Sequence, residues 1–260
     1  MEKRKELEAE FHNQREFDRQ NLSEKEFLKK YPNKKFYIIS EKIRRYQEKL
    51  ILSKETDSKV LDYCCGVGNT SLKLAEMGFR DIYGIDIAEG EIEASKKLLS
   101  DNGYGKNGKF MVMDAEKMSF PNDYFDLIIA NGVLHHLDID QAIPELARVL
   151  KKDGLIIAME ALGYNPAINL YRKLTPTLRT AWEKDHILTL KELNKAKRYF
   201  KRTTERYFYL VTLLSIPFAN TIFFKPILKI TQTIDKLLMK IPLLKLMAWQ
   251  FVFTLSEPKR

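Results

Sequence analysis

Between Lys59 and Glu160 the sequence alternates short apolar runs with segments of helical periodicity, and this alternation constrains the fold more than any other feature. Segments with apolar residues at three- and four-residue spacing separate the runs and predict helices. Strands that alternate with helices predict a parallel sheet with helices on both faces and right-handed crossovers. The predicted strands are Lys59–Tyr63, Asp81–Asp86, Lys109–Met113, Phe125–Ala130 and Leu155–Glu160, and the predicted helices are Thr70–Met77, Glu89–Leu99 and Gln141–Leu150.

The alternation breaks on both sides of this stretch. Residues 1–55 are highly charged, are interrupted by Pro32 and predict a pair of amphipathic helices. Residues 161–190 indicate a loop-rich insertion, and a helix at Leu190–Tyr199 and strands at Phe200–Leu213 and Trp249–Leu255 follow. We therefore predict one α/β domain in three parts. These are an N-terminal helical cap (1–55), a ligand-binding core (56–160), and substrate-side insertions with the last two strands (161–260).

The cysteine content and the N-terminus indicate the compartment. Cys64 and Cys65 are the only cysteines, and two neighbouring cysteines form no disulfide framework, so a reducing, cytoplasmic environment is predicted. The charged N-terminus lacks the apolar segment of a secretory signal. No Cys/His spacing is typical of a zinc site, and we expect no metal.

Carboxylates and glycines follow three of the predicted strands at the edge where a parallel sheet binds ligands. Gly66 and Gly68 follow the first strand, and glycines allow positive φ and a close approach of the backbone to a ligand. Asp86 ends the second strand and can accept hydrogen bonds from both ribose hydroxyls. Asp114 closes the third and can accept one from an adenine amine. Together with Asp62 at the end of the first strand, these residues predict an adenosine site.

A dinucleotide site is the weaker alternative. The G-x-G-x-x-G pattern gives Gly66, Gly68 and Ser71 in this chain, so its third glycine is missing. Such a site also places a pyrophosphate on the helix N-terminus, and no other feature of the sequence supplies a nicotinamide site.

Four segments within residues 60–160 resemble class I S-adenosylmethionine-dependent methyltransferases of the menaquinone/ubiquinone methylase-like kind. They are VLDYCCGVGNTSLKLAEMG, YGIDIAEGEIEASKK, MDAEKMSFPNDYFDLIIANGVLHHL and AIPELARVLKKDGLIIAME. The resemblance implies a Rossmann-like methyltransferase fold with a mostly parallel seven-stranded sheet, and S-adenosylmethionine as cofactor. It also implies that the Asp62 loop holds the methionine end, Asp86 the ribose and Asp114-Ala115 the adenine, with Asn131 beneath the cofactor.

Some of the predicted cofactor-binding residues can also be explained without a ligand. Asp62 can cap the following helix, and Asp86 can be a solvated turn carboxylate. Cys64 stands where the family has the first glycine of the turn. With Cys65 it suggests thiol or arsenic chemistry, but two small residues that fill a turn are favoured. The predicted set is Asp62, Cys64, Gly66, Gly68, Asp86, Ile87, Asp114, Ala115 and Asn131.

His135 and His136 are the candidate catalytic residues. A histidine near neutral pKa at the end of the fourth strand is suited to act as a general base toward the acceptor. The alternative is a structural hydrogen bond at the start of a helix. Adjacent side chains are expected to diverge, so we do not expect the pair to bind one metal ion together.

Methyl transfer depends on the reactivity of the cofactor, so the sequence indicates the cofactor better than the acceptor. We expect a small, lipophilic acceptor, methylated on oxygen or carbon, and selected by the N-terminal helices and the segments 161–190 and 214–248. Two alternatives stay open: a non-catalytic protein that keeps the fold for binding or scaffolding, and a lipid-modifying enzyme at a membrane surface. The sequence indicates no oligomeric state.

The net charge of +9 is concentrated near the C-terminus, where residues 191–260 carry 14 basic and 4 acidic side chains. Tyr207–Phe224 has no charge but is short and interrupted for a membrane span. The next segment places lysines among Ile, Leu and Met, which predicts either a lid or peripheral membrane contact through residues 207–248. Nucleic acid is not expected, because its sites favour dense basic patches with exposed stacking aromatics. The lysines are Lys229, Lys236, Lys240 and Lys245.

Overall fold

The computed structural model describes residues 2–260 and contains a seven-stranded sheet in the order β3-β2-β1-β4-β5-β7-β6. The first five strands pair in parallel, and β7 runs antiparallel to both of its neighbours. The predicted α/β class and mostly parallel seven-stranded sheet are confirmed. The strands are β1 (Lys59–Tyr63), β2 (Asp81–Asp86), β3 (Gly108–Val112), β4 (Phe125–Asn131), β5 (Leu150–Ala161), β6 (Phe200–Phe208) and β7 (Gln250–Pro258).

Helices flank the sheet on both faces. Short 3-10 helices lie at Pro32–Ile39, Leu134–His136, Pro176–Leu178 and Val211–Phe218. The α-helices are α1 (Lys3–Asn21), α2 (Glu24–Lys30), α3 (Glu41–Ile51), α4 (Asn69–Glu76), α5 (Glu89–Asp101), α6 (Ile139–Val149), α7 (Pro166–Leu174), α8 (Ala181–Asp185), α9 (Leu190–Ala196), α10 (Phe224–Leu238) and α11 (Pro242–Lys245).

The central strands are apolar on both faces because helices cover the sheet on both sides. Successive side chains of a strand point to opposite faces. Ile128 of β4 accordingly packs in one core cluster, and its neighbours Leu127 and Ile129 pack in the other. This two-sided burial explains why these strands are continuous apolar runs in the sequence.

Four predicted segments differ from the structure by more than three residues or in the kind of element. The strand predicted at Leu155–Glu160 begins at Leu150 as β5. The N-terminal pair of helices is three α-helices and a 3-10 helix, since Ser23 forms a capping box that starts α2 within the expected first helix. The loop-rich insertion at 161–190 contains α7 and α8. The predicted strand Phe200–Leu213 ends at Phe208, because Tyr209 has a positive φ of 65° and a 3-10 helix follows it. The three-part division of the chain stays a prediction.

The segment from residue 210 to residue 248 is an excursion between β6 and β7 whose two ends meet at the sheet. Phe208 pairs with Gln250, and the N–H of Trp249 donates to the carbonyl oxygen of Tyr209 at 2.7 Å. Asp235 of α10 fixes the interior of the excursion, since its carboxylate accepts from the backbone N–H groups of Leu210, Val211 and Thr212 and from the Thr212 hydroxyl. Within residues 2–260 no helix is long and apolar enough to cross a membrane.

Candidate functional site

A cavity of about 650 Å³ lies at the carboxyl ends of the parallel strands. The glycine turn after β1 and the residues that follow β2, β3 and β4 form its floor. Its walls come from α1, from the 3-10 helix Pro32–Ile39, from α7, and from the 3-10 helix Val211–Phe218. The N-terminal helices and both later insertions therefore reach the same space as the strand ends. The volume lies within the range of small-molecule sites.

The turn after β1 has the conformation that its glycines allow. Gly66 has a φ of 52° and Gly68 a φ of 80°, and a Cβ atom on Gly68 would lie 3.0 Å from the side chain of Ser95. Cys64 also has a positive φ, 54°, which explains why the resembling family places a glycine at this position. Both thiols are free, and burial raises the pKa of each well above its usual range, so they stay protonated. This agrees with the expectation that they fill the turn.

Asp62 is a buried carboxylate at the base of the cavity, with 2% of its surface exposed. Its side chain accepts a hydrogen bond from the Ser71 hydroxyl at 2.7 Å, in the first turn of α4. Burial raises the pKa of Asp62 to about 7, although the hydrogen bonds from Ser71 lower it. Asp62 therefore contacts the following helix and also lines the cavity.

Asp86 ends β2 with both carboxylate oxygens oriented by the backbone. One oxygen accepts from the N–H of Gly66 at 3.0 Å and the other from the N–H of Ala88 at 3.0 Å. Burial raises the pKa of Asp86, opposed by these hydrogen bonds and by the charge of His12. The contact to Gly66 ties the second strand to the glycine turn, and Ile87 lines the cavity beside it.

Asp114 and Glu116, two residues further on, pair with the first turn of α1. The Lys5 ammonium lies 2.8 Å from Asp114 and 2.8 Å from Glu116, and the Arg4 guanidinium binds both oxygens of Glu116 at 2.7 Å. Ala115, between the two acids, is buried, and its carbonyl accepts from the Tyr63 hydroxyl at 2.8 Å. The cap is thus held over the strand ends by ion pairs.

Asn131 lies at the end of β4 in a polar chain that crosses the cavity floor. Its side-chain oxygen accepts from Gln47, and its amide donates to the Thr70 hydroxyl at 3.1 Å. All nine predicted cofactor residues lie at these strand ends, and eight of them line the cavity. Gly68, the ninth, is the N-cap residue of α4.

Glu91 is a cavity residue that the sequence analysis did not single out. One of its carboxylate oxygens lies 3.1 Å from Arg15 and 3.7 Å from His12. The other, Oε2, is buried, has no hydrogen-bond partner within residues 2–260, and lies 3.4 Å from the position of a Cβ atom on Gly66. This carboxylate oxygen is therefore available to accept a hydrogen bond beside the glycine turn.

His135 and His136 lie in the 3-10 helix Leu134–His136 rather than at the start of an α-helix. The expectation that their side chains diverge is wrong, since the ring centroids are 4.3 Å apart and both rings face Glu183. The tight turn directs both side chains into the cavity. Burial lowers the pKa of His135, but the carboxylates of Glu160 and Glu183 outweigh it and raise the pKa to about 9. Burial and the neighbouring His135 lower the pKa of His136.

A second wall of the cavity is aromatic and aliphatic. Two buried polar atoms on it, the Tyr171 hydroxyl and Oε1 of Gln250, have no hydrogen-bond partner in the described part of the chain. The Lys34 ammonium forms no ion pair within residues 2–260, and burial lowers its pKa to about 8, helped by the charges of Arg15 and Arg19. The apolar residues of this wall are Phe36, Tyr37, Ile168, Leu213, Ile216 and Trp249.

Residues 61–158 match a family model described as a methyltransferase domain. An uncharacterized methyltransferase of Bacillus subtilis is 31% identical over 105 residues, which are 40% of this chain and 41% of that protein. A ubiquinone/menaquinone biosynthesis C-methyltransferase of Rickettsia massiliae is 37% identical over 110 residues, 40% of this chain and 44% of that protein. The chain therefore matches less than half the length of these relatives.

The solved structures that resemble the chain share its fold at low identity. A geranyl diphosphate C-methyltransferase from Streptomyces coelicolor A3(2), in complex with Mg²⁺, geranyl diphosphate and S-adenosyl-L-homocysteine, superposes with a TM-score of 0.57. It is 11% identical, and the superposition covers 83% of this chain and 80% of that one. A protein from Pyrococcus horikoshii gives a TM-score of 0.54 at 22% identity, over 85% and 93% of the two chains.

Proposed function

We propose that residues 61–158, which match a family model described as a methyltransferase domain, form the cofactor-binding core of a class I S-adenosylmethionine-dependent methyltransferase, and that the protein transfers a methyl group from S-adenosylmethionine to a small lipophilic acceptor. The observation that carries the proposal is the convergence of Asp62, Asp86 and Asp114 with the glycine turn on one cavity that also has an apolar wall. Carboxylates placed together at the strand ends, with room beside them for a second small molecule, favour an enzyme over a non-catalytic scaffolding protein.

The residues around the turn fit the cofactor. When bound, S-adenosylmethionine supplies a methyl group activated by its sulfonium. We propose that Asp86 accepts from the ribose hydroxyls and that Asp114 and Ala115 contact the adenine. The free oxygen of Glu91 accepts from the ammonium of the methionine end, and Arg15 and Lys34 supply positive charge for its carboxylate.

The aromatic and aliphatic wall of the cavity supports a lipophilic substrate. Its aromatic and aliphatic side chains bury apolar surface, which stabilises a bound ligand by about 25 cal/mol per Å². Two of the similar proteins, a ubiquinone/menaquinone biosynthesis C-methyltransferase and a geranyl diphosphate C-methyltransferase, have names that include molecules with isoprenoid chains. The unpaired polar atoms of Tyr171 and Gln250 offer a few orienting contacts. We propose that the acceptor lies between this wall and the two histidines, whose acid–base role stays a prediction.

Calorimetric titration with S-adenosylhomocysteine tests the cofactor site. Asp86→Ala removes the acceptor for two ribose hydroxyls, and we expect a loss of about 1–3 kcal/mol in binding free energy, or roughly a 5- to 150-fold weaker Kd. Asp101→Ala, on the exposed end of α5, is the matched control and should bind as the parent does. An unchanged Kd in Asp86→Ala contradicts the assignment. Methyl transfer to quinols, phenols and isoprenoids then tests the activity.

A second candidate, action at a membrane surface, is favoured by the outer face of the 210–248 excursion. Apolar side chains at three- and four-residue spacing along α10 and just beyond its end are exposed, and Ile222 and Leu243 are 87% and 78% exposed. Exposed lysines flank the stripe, as in helices that lie in an anionic interface. The stripe is Ile230, Ile234, Leu237 and Ile241, and the lysines are Lys225, Lys229, Lys236 and Lys240.

Cosedimentation with liposomes separates a membrane-contact surface from a lid. Contact predicts binding to anionic but not neutral vesicles, weakened by salt, because each lysine near the surface contributes about 1 kcal/mol. Charge reversal at Lys236 and Lys240 should abolish binding, and reversal at Lys96 and Lys97 of α5 should not. If the protein binds no vesicles under any condition and methylates a water-soluble acceptor, both the proposed membrane contact and the proposed lipophilic acceptor are contradicted.

A further inference from the structure

Three ligand-type atoms converge in the cavity at the turn that follows β4. Nε2 of His135 lies 3.4 Å from Oε1 of Glu183, and Nε2 of His136 lies 3.6 Å from the same oxygen. The three atoms lie within 4.8 Å of one another. The tight 3-10 turn and α8 bring them together from segments far apart in the chain. Spacing within the sequence therefore gave no sign of the cluster.

The opposite nitrogen of each imidazole is held by a different buried carboxylate. Nδ1 of His135 lies 2.8 Å from Oε2 of Glu160, whose other oxygen accepts from the N–H groups of Val133 and Leu134. Nδ1 of His136 lies 3.1 Å from Glu8. An ionised carboxylate only accepts hydrogen bonds, so in the neutral imidazole each Nδ1 carries the proton and each Nε2 presents a lone pair to Glu183. A carboxylate behind a histidine is the usual support of a metal-binding imidazole.

The spacing of the converging atoms suits a metal ion better than hydrogen bonds. Distances of 3.4 and 3.6 Å are long for N–H···O bonds, which are about 2.9 Å. Without an ion, a proton on an imidazole supplies the positive charge between these atoms, and a bound divalent ion would take the place of that proton. Around a tetrahedral ion with bonds of about 2.0–2.1 Å, neighbouring ligand atoms lie about 3.3 Å apart.

The charge of the cluster leads to the same conclusion. Glu8, Glu160 and Glu183 are buried, and within residues 2–260 no lysine or arginine forms an ion pair with any of their carboxylates. The positive charge in direct contact with them is therefore an imidazolium or a bound cation, while Lys34, Arg172 and Arg179 act on Glu183 from further away. Two imidazoles and one carboxylate are a donor set that Zn²⁺ and related divalent ions accept, with a coordination position left open.

We propose that His135, His136 and Glu183 bind one divalent transition-metal ion, with Glu160 and Glu8 as the carboxylates that orient the two imidazoles. The open position faces the cavity, where the ion binds and polarises an oxygen atom of the acceptor. Only this last point rests on the proposed methyltransferase function. The site replaces the sequence-based expectation that the chain binds no metal.

Metal titration of the full-length protein, after treatment with a chelator, tests the site without any activity measurement. Calorimetry with Zn²⁺ and the visible absorption of added Co²⁺ report affinity and ligand geometry. We expect one ion per chain, with Zn²⁺ displacing Co²⁺. Glu183→Gln and His136→Gln should each weaken binding by at least about 100-fold, and Glu160→Gln by about 10- to 100-fold. His186→Ala is the control, because that exposed ring stacks on Trp182 outside the cluster and should bind the ion as the parent does.

The outcomes separate this proposal from the proposed function and from misfolding. Each variant is also titrated with S-adenosylhomocysteine and melted, so a variant that has lost its fold is recognised and replaced by the other substitutions. Absence of stoichiometric Co²⁺ and Zn²⁺ binding in the parent protein overturns the metal site, and so does unchanged binding in a folded Glu183→Gln variant. Failure of the parent protein to bind S-adenosylhomocysteine overturns the proposed function but leaves the metal titration interpretable.

Discussion

Asp62 gives the protein a pH dependence that a single substitution removes. Its carboxylate is buried and is raised to a pKa of about 7, against an ordinary value of 3.8. At a pH between these two pKa values, Asp62 is protonated in the folded state and ionised in the unfolded state. The free energy of unfolding therefore falls as the pH rises through this window. We expect Asp62→Asn, which cannot ionise and keeps an oxygen for the Ser71 hydroxyl, to abolish this loss.

The magnitude follows from the difference between the two pKa values. A shift of about 3 units corresponds to about 4 kcal/mol when the whole window is crossed, since one unit is worth about 1.4 kcal/mol. Part of the titration lies below pH 5, so between about pH 5 and pH 8 the contribution is about 2–3 kcal/mol. That is a large fraction of the stability of an ordinary domain.

Urea unfolding at the two pH values, without added cofactor, measures the effect as a difference between variants. The free energy of unfolding of Asp62→Asn, relative to the parent, should rise by about 2–3 kcal/mol from pH 5 to pH 8. Asp57→Asn, a substitution of an exposed aspartate shortly before β1, is the control. Its free energy of unfolding should change between the two pH values as that of the parent does. Equal pH dependence in the parent and Asp62→Asn would refute the reasoning, because no buried carboxylate would then be titrating at this position.

Two further predictions concern the glycine turn and the excursion. Gly68→Ala should lower the melting temperature more than Gly103→Ala, because both glycines have a φ near 80° but only Gly68 would bring a Cβ atom against Ser95; equal shifts would show that the contact is unimportant. Asp235→Ala should lower the free energy of unfolding in urea by about 3 kcal/mol or more, because it leaves three N–H groups and a hydroxyl unpaired. Thr233→Ala, exposed on the same helix, is the control, and a loss no larger than that of Thr233→Ala would contradict the role of Asp235 in fixing the excursion.

The core of the fold could be predicted because its signals are local. β1 and β2 have the bounds that the sequence predicts, since each is a buried apolar run that ends where a carboxylate and a turn begin. The carboxyl ends of parallel strands meet at one edge, so Asp62, Asp86 and Asp114 could be assigned to one site before any coordinates. To predict that these three carboxylates lie close together, it was enough to predict parallel strands.

The histidine cluster and the end of β6 could not be predicted, because distant residues determine them. Glu8 and Glu183 contact His136 from distant segments on either side of it in the sequence, and no local periodicity predicts these contacts. The apolar run after Phe208 reads as a continuing strand, but Asp235 of α10 accepts from its backbone N–H groups and folds it into a 3-10 helix. Glu160, in contrast, lies near the end of a predicted strand and could have been found by extending the strand-end rule to β5.

The hydrogen bond between Trp249 and Tyr209 has an evolutionary consequence. Since the excursion 210–248 leaves and rejoins the sheet at paired strand ends, its length and sequence can change without shifting the register of β6 and β7. Longer closed loops add only a small entropic penalty, about 0.6 kcal/mol for each doubling. The segment therefore has the properties of an exchangeable cassette. Relatives can diversify it, and engineers can graft it, while the cofactor half of the cavity is inherited unchanged.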